Sequence, residues 1–110
     1  MKRGEIWTLR DDGYASKARP VVIVQSDNIT GFGSIILCLF TTYESGHIPT
    51  RVHISADSVN GLKKDSYVMT EKIITVEKSE LGERVGILTH SQQCLIAAQL
   101  AVILDIDRRK

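Results

Sequence analysis

Cysteine is scarce in this 110-residue chain, which contains only Cys38 and Cys94. They stand far apart, form no Cys-x-x-Cys pair, and each lies in an apolar stretch. Both read as reduced core residues, which suits a reducing, cytoplasmic setting. Histidine is equally sparse: His47, His53 and His90 do not keep ligand spacing, and no second soft ligand stands near any of them. No metal or other cofactor is therefore expected. The start, "MKRGEIWTLR", has a basic tip but no apolar run long enough for a signal peptide, and no segment approaches a membrane span. An excess of one charge is missing too, with 14 basic side chains against 13 acidic ones and a net charge of +1. The molecule as a whole is not a binder of polyanions, so any nucleic-acid site is a local patch. Repeats and low-complexity tracts are absent, and the length suits one domain spanning residues 1–110.

What is present is mostly strand signal. "GEIWTL" is short and partly alternating, and "RDDGYASKA" after it supplies the Gly, Asp and Ser of a surface loop. "PVVIVQS" and "SIILCLFTT" are nearly continuous apolar runs and read as central strands. "TRVHISA" alternates, with Val52, Ile54 and Ala56 on one face and Arg51, His53 and Ser55 on the other. "DSVNGLKKDS" reads as a turn around Asn60-Gly61, and "YVMTEKIITVE" as a long, bent strand. "SELGERVGIL" reads as a short helical or irregular piece followed by a strand at Arg84 to Leu88.

Only the end is convincingly helical. Thr89 and Gln92 have capping-box spacing, in which each side chain satisfies the other's orphan amide. "SQQCLIAAQLAVILDI" continues without Gly or Pro, and its apolar residues nearly encircle the helix. Such a helix is expected to be buried on more than one side, under the sheet or in a subunit contact. The fold class is mainly β with a C-terminal helix, a curled and mostly antiparallel sheet.

Arg19 poses the chemical question. It precedes Pro20, which offers no ladder donor and so belongs at a strand's entrance. A guanidinium stays protonated at physiological pH, which makes it a poor proton shuttle and a good anion clamp. Taken alone, Arg19 reads as a surface charge paired with Asp11 or Asp12, and Thr41 and Thr42 as β-formers at a strand end. Trp7 reads as a core or interface anchor. Lys63, Lys64 and the terminal "DRRK" read as solvated charge.

In order along the chain, "KRGEIW", "ARPVVIVQSD", "LFTT", "IPTRVHI" and "GLKKDSYVMTEKIITVEK" resemble the MazF/PemK family of toxin endoribonucleases, from Lys2 to about Ile106. The resemblance implies an SH3-like small barrel shared with CcdB-type toxins, a homodimer, and a cognate antitoxin as partner. It also implies metal-independent, sequence-specific cleavage of single-stranded RNA. In that reaction a 2′-hydroxyl attacks the adjacent phosphate and leaves a 2′,3′-cyclic phosphate and a 5′-hydroxyl.

Carried over residue by residue, Arg19 matches the arginine of the family's Arg-Pro motif, and Thr41 the hydroxyl residue closing the third strand. Arg19 is expected to fork onto phosphate oxygens, and Thr41 to fix the phosphate or align the 2′-hydroxyl, with Thr42 as the alternative. One branch of the family has an arginine and an aspartate two positions apart where this chain has Met69 and Glu71. Met69 does neither acid nor base work, whereas Glu71 is either a general base, a base-reading acceptor, or an exposed charge paired with Lys72 or Lys63. The same branch has a histidine in the loop after the first strand, and this loop has none. Tyr14, Ser16 and Lys17 are the RNA-contact candidates there, Tyr14 by stacking and Lys17 through phosphate. Arg51 and His53 are candidates on the polar face of "TRVHI".

The resemblance further implies an RNA groove along the subunit contact, which the antitoxin's disordered, acidic and apolar tail occupies. Two alternatives stand beside this reading. A gyrase-poisoning binder of the CcdB type acts through a C-terminal tryptophan, glycine and isoleucine, whereas this chain ends "LDIDRRK". An inactive module that only docks RNA or antitoxin would not require Arg19 and Thr41.

Overall fold

The apolar run after Pro20 is buried on both sides, and the reason is its central place in the sheet. In the computed structural model, which describes residues 1–10 and 18–106, six strands form one antiparallel sheet. They are β1 (Glu5–Leu9), β2 (Arg19–Ile23), β3 (Ser34–Thr41), β4 (Arg51–Ile54), β5 (Ser66–Glu77) and β6 (Leu81–Ile87). Their order is β4-β5-β3-β2-β1-β6. Val21, Val22 and Ile23 of β2 are each at most 1% exposed. Val22 joins a cluster with Ile6, Cys38, Ile54, Val68 and Ile96. Val21 and Ile23 point the other way, into a second cluster with Ile35, Leu37 and Leu81. Successive side chains point to opposite faces, so a strand between two clusters needs apolar residues at every position. β3 departs from that rule at Ile36, which is 38% exposed.

β5 is the long bent strand. Cys38 of β3 pairs with Ile73, but Leu39 pairs with Met69, so Thr70, Glu71 and Lys72 form a bulge against β3. A bulge bends the strand and raises its twist. The first part of β5 thereby also carries β4, with Arg51 opposite Met69 and His53 opposite Tyr67. The buried Thr70 hydroxyl donates to the Thr50 carbonyl at 2.7 Å and anchors the bend.

The sheet curls around the first cluster. Leu88 N donates to Gly4 O at 2.9 Å, just ahead of β1, and Ile87 N donates to Val59 O at 3.2 Å, which draws the end of β6 toward the segment after β4. That segment is a turn built on Asn60, which is 1% exposed. Its Oδ1 accepts from the amides of Asp57 and Leu62, and its Nδ2 donates to Ser55 O. Gly61 has φ +70°, and a Cβ there would sit 2.3 Å from Val85 O, so only glycine fits.

A 3-10 turn at Lys78–Glu80 leads directly into β6, which begins at Leu81 rather than at the expected Arg84. Helix α1 (His90–Ile103) starts as its spacing predicts. Thr89 Oγ1 accepts from Gln92 N at 3.1 Å, and Gln92 Oε1 accepts from Thr89 N at 2.9 Å. The helix is nevertheless buried on one side only within the chain. Ile96 is 3% exposed, whereas Leu95, Val102, Leu104 and Ile106 each expose more than half of their surface. Cys94 is likewise exposed, contrary to the core placement expected for it, and its Sγ stands 3.4 Å from His90 Nε2. Cys38 is buried as expected, and burial pushes its thiol up to about 12.

Candidate active site

The strand ladders bring the polar candidates to one face and one end of the sheet. A complete row crosses five strands, with Trp7, Val21, Leu39, Met69 and Arg51 in register. Directly paired residues share a face, and residues two apart on a strand share it as well. Arg19, Thr41, Tyr67 and His53 therefore lie on that same face, one pleat further along. Thr41 is paired with Tyr67, and Tyr67 with His53. Continuing the β2–β3 register two residues past Val21 and Leu39 brings Arg19 level with Thr41. Arg19 is exposed where β2 begins, opposite Leu9. Glu71 follows Met69 by two residues and falls on the same side, inside the bulge.

Thr41 is half-buried, and its Oγ1 accepts from Tyr43 N at 3.1 Å. Thr42 lies beyond the last residue of β3 and is exposed. Arg51 is held through three of its nitrogens. Its Nε donates to Glu71 Oε2 at 3.1 Å, its Nη2 donates to the same oxygen, and its Nη1 donates to Ser45 Oγ at 3.0 Å. Ser45 is fully buried and donates in turn to Tyr43 O at 2.8 Å. The Arg51 guanidinium holds the Glu71 carboxyl below the usual carboxylate range, against a smaller opposing effect of burial. Glu71 thus pairs with neither Lys72 nor Lys63 in an ion pair; its partner is Arg51.

Two residues absent from the sequence expectations complete the site. The Tyr67 hydroxyl donates to Glu44 Oε1, and Gly46 N donates to Glu44 Oε2 at 3.2 Å. These bonds lower the Glu44 pKa, with the tyrosine contact first, and the ionised carboxylate raises that of Tyr67. The available signal was the alternation of Tyr67, Met69 and Glu71 on one strand, which sets all three on one face. Tyr14, Ser16 and Lys17 lie outside the described residues. Among the described residues no three His, Cys, Asp or Glu side chains gather as metal ligands, and no helix is long and apolar enough to cross a membrane.

The molecule is a small, mainly β protein, a curled antiparallel sheet with one C-terminal helix, and an arginine and a threonine stand at the adjacent ends of β2 and β3. Residues 2–104 match the PemK-like, MazF-like toxin of type II toxin-antitoxin systems. The chain belongs to that family. It is 35% identical over 107 residues to the probable endoribonuclease MazF of Mycolicibacterium smegmatis, covering 96% of this chain and 98% of that protein. It is 30% identical over 91 residues to the endoribonuclease MazF of Staphylococcus epidermidis, covering 81% and 75% of the two chains. Among solved structures it is similar to an endoribonuclease from a mycobacterial species in complex with its cognate antitoxin. That match has a TM-score of 0.82, 29% identity and 97% coverage of both chains. The Mycobacterium tuberculosis toxin MazF-mt6 superimposes with a TM-score of 0.78 at 28% identity, covering 94% of this chain and 98% of that one.

Proposed function

We propose that this toxin is a metal-independent endoribonuclease whose scissile phosphate sits between Arg19 and Thr41. The observation that carries the reading is their common placement at the adjacent ends of β2 and β3, on one face. Thr41 Oγ1 already accepts a hydrogen bond from Tyr43 N, so its own hydrogen is available to donate to a phosphate oxygen. The Arg19 guanidinium forks onto the non-bridging oxygens and meets the negative charge that builds there as the 2′-hydroxyl attacks phosphorus. The bond from phosphorus to the 5′-oxygen breaks, leaving a 2′,3′-cyclic phosphate and a 5′-hydroxyl.

Glu71 and Arg51 act as a unit in this proposal. A carboxylate held low by its partner binds a proton weakly, whereas an efficient general base titrates near the working pH. Glu71 therefore serves chiefly as the fixed anion that aims Arg51 along the RNA path. His53 lies on the same strand face as Arg51, and Thr42 is exposed just beyond the end of β3. Tyr14, Ser16 and Lys17, which lie outside the described residues, stay candidates for RNA contact on their sequence alone.

The partners follow from the same surface. A second copy of the chain covers the apolar side of α1, where Leu95 and Val102 face outward, and the RNA runs along the resulting dimer. The antitoxin's acidic, apolar tail competes for the cationic site, so RNA and antitoxin exclude one another. The test is incubation of the purified protein with a long single-stranded RNA in the presence of EDTA, followed by primer extension and end-group analysis. Cuts at one short motif with cyclic-phosphate ends support the reading. Absence of cleavage by folded, antitoxin-free protein refutes it.

A further inference from the structure

Two rings extend the row that starts at Arg19 and Thr41. Tyr67 is paired with Thr41 on one side and with His53 on the other. The two ring centroids are 5.1 Å apart, and the planes meet at 65°, an edge-to-face contact. Tyr67 is also held at its tip, because its hydroxyl donates to Glu44, whose other carboxylate oxygen accepts from Gly46 N. The loop carrying Glu44 is fixed in turn. Buried Ser45 accepts from Arg51 Nη1 and donates to Tyr43 O, and Tyr43 N returns to Thr41 Oγ1. Neither ring belongs to the hydrophobic clusters, so a network of this kind orients a partly exposed aromatic without adding to the core.

We propose that Tyr67 and His53 form the seat for the nucleobase next to the phosphate held by Arg19 and Thr41, with Glu44 positioning Tyr67 and selecting the base. This rests on the endoribonuclease reading and deepens it by naming a base subsite. Neighbouring strands lie about 4.8 Å apart, so Tyr67 is one strand step from Thr41 and His53 two, which is within the reach of a base from its own phosphate. Stacking on an aromatic tolerates every base. The Glu44 carboxylate does not, because an ionised carboxylate only accepts hydrogen bonds. It favours adenine, cytosine and guanine, whose exocyclic amino groups donate, over uracil, whose one base-edge donor, N3–H, is flanked by two carbonyl oxygens that a carboxylate repels.

The test uses the full chain and RNA oligonucleotides that carry the cleavage motif found for the wild type, with each base flanking the cut varied in turn. Tyr67→Leu is expected to raise KM about tenfold with a smaller change in kcat. Tyr67→Phe, which keeps the ring, should restore most of that loss. Glu44→Gln should weaken discrimination against uracil at one flanking position and leave the others alone. If Tyr67→Leu fails to fold, His53→Ala decides through the same rise in KM, because His53 is exposed on β4. An unchanged KM in a folded ring-deleted variant overturns the base seat. Unaltered discrimination in Glu44→Gln, or a wild type indifferent to uracil on both sides of the cut, overturns the selective role. Failure of the wild type to cut RNA at all strikes the endoribonuclease reading instead, so the two failures are separable.

Discussion

Arg51 and Glu71 are twenty residues apart in sequence, yet two nitrogens of one guanidinium converge on a single carboxylate oxygen. The cause is the ladder: Arg51 pairs with Met69, and Glu71 is the next residue on the same face of β5. Their side chains are 16% and 32% exposed, which makes this a partly shielded pair.

This pair predicts how stability depends on pH. The Arg51 hydrogen bonds lower the pKa of Glu71 in the folded protein below that of an ordinary carboxylate, so folding favours the ionised form. Its contribution is present above the unfolded pKa and disappears as the pH falls through the lower folded one. Glu71→Gln should cost about 1 kcal/mol at neutral pH, and urea titrations of the two proteins should converge in acid. A difference that persists unchanged in acid would assign the effect to something other than the ion pair.

Thr41 supplies a second prediction. Thr41→Val removes both the acceptor for Tyr43 N and the proposed donor to phosphate while preserving β-branching. The cleavage rate should fall on the order of a hundredfold, whereas Thr41→Ser, which keeps the hydroxyl, should retain most of it. Single-turnover kinetics with saturating protein reads the chemical step directly. Equal rates in all three proteins would move the donor role to Thr42.

The cysteines differ sharply in environment. Cys38 is buried with its thiol pushed up to about 12, and Cys94 is exposed on α1. A thiol reagent should modify Cys94 alone in the native protein and both residues after denaturation. Peptide mapping after a brief exposure checks this, and early labelling of Cys38 would contradict the core.

Helix α1 leads to a prediction about assembly. Val102→Glu places a charge on the outward apolar side, where the wild type exposes 64% of the valine. It should shift the protein from the proposed dimer to monomer in sedimentation equilibrium while leaving the helical circular dichroism intact. A variant that remains as dimeric as the wild type would place the contact elsewhere.

The parts read correctly from the sequence were those governed by neighbours along the chain. The Thr89–Gln92 box is local chemistry, and the continuous run after Pro20 signals two-sided burial because strand geometry repeats every two residues. Arg19 and Thr41 are candidates by their motif positions alone, and the continued β2–β3 register is what sets them level. The partner of Glu71 was misread because lysines lay near it in sequence, whereas the bulge at Thr70–Lys72 and the pairing of β4 with β5 select Arg51. Glu44 and Tyr67, twenty-three residues apart, were missed for the same reason. Cys94 was misplaced because apolar residues surround the helix so evenly that periodicity does not tell the inner side from the outer one.

The most direct test of the central claim, that a phosphate lies at Arg19 and Thr41, is the single-turnover cleavage rate of Arg19→Ala beside the wild type. Both would be measured at saturating protein, with folding checked by circular dichroism. The account predicts a loss of at least about a hundredfold with the fold intact. A folded variant that cuts the same motif at the wild-type rate would contradict it.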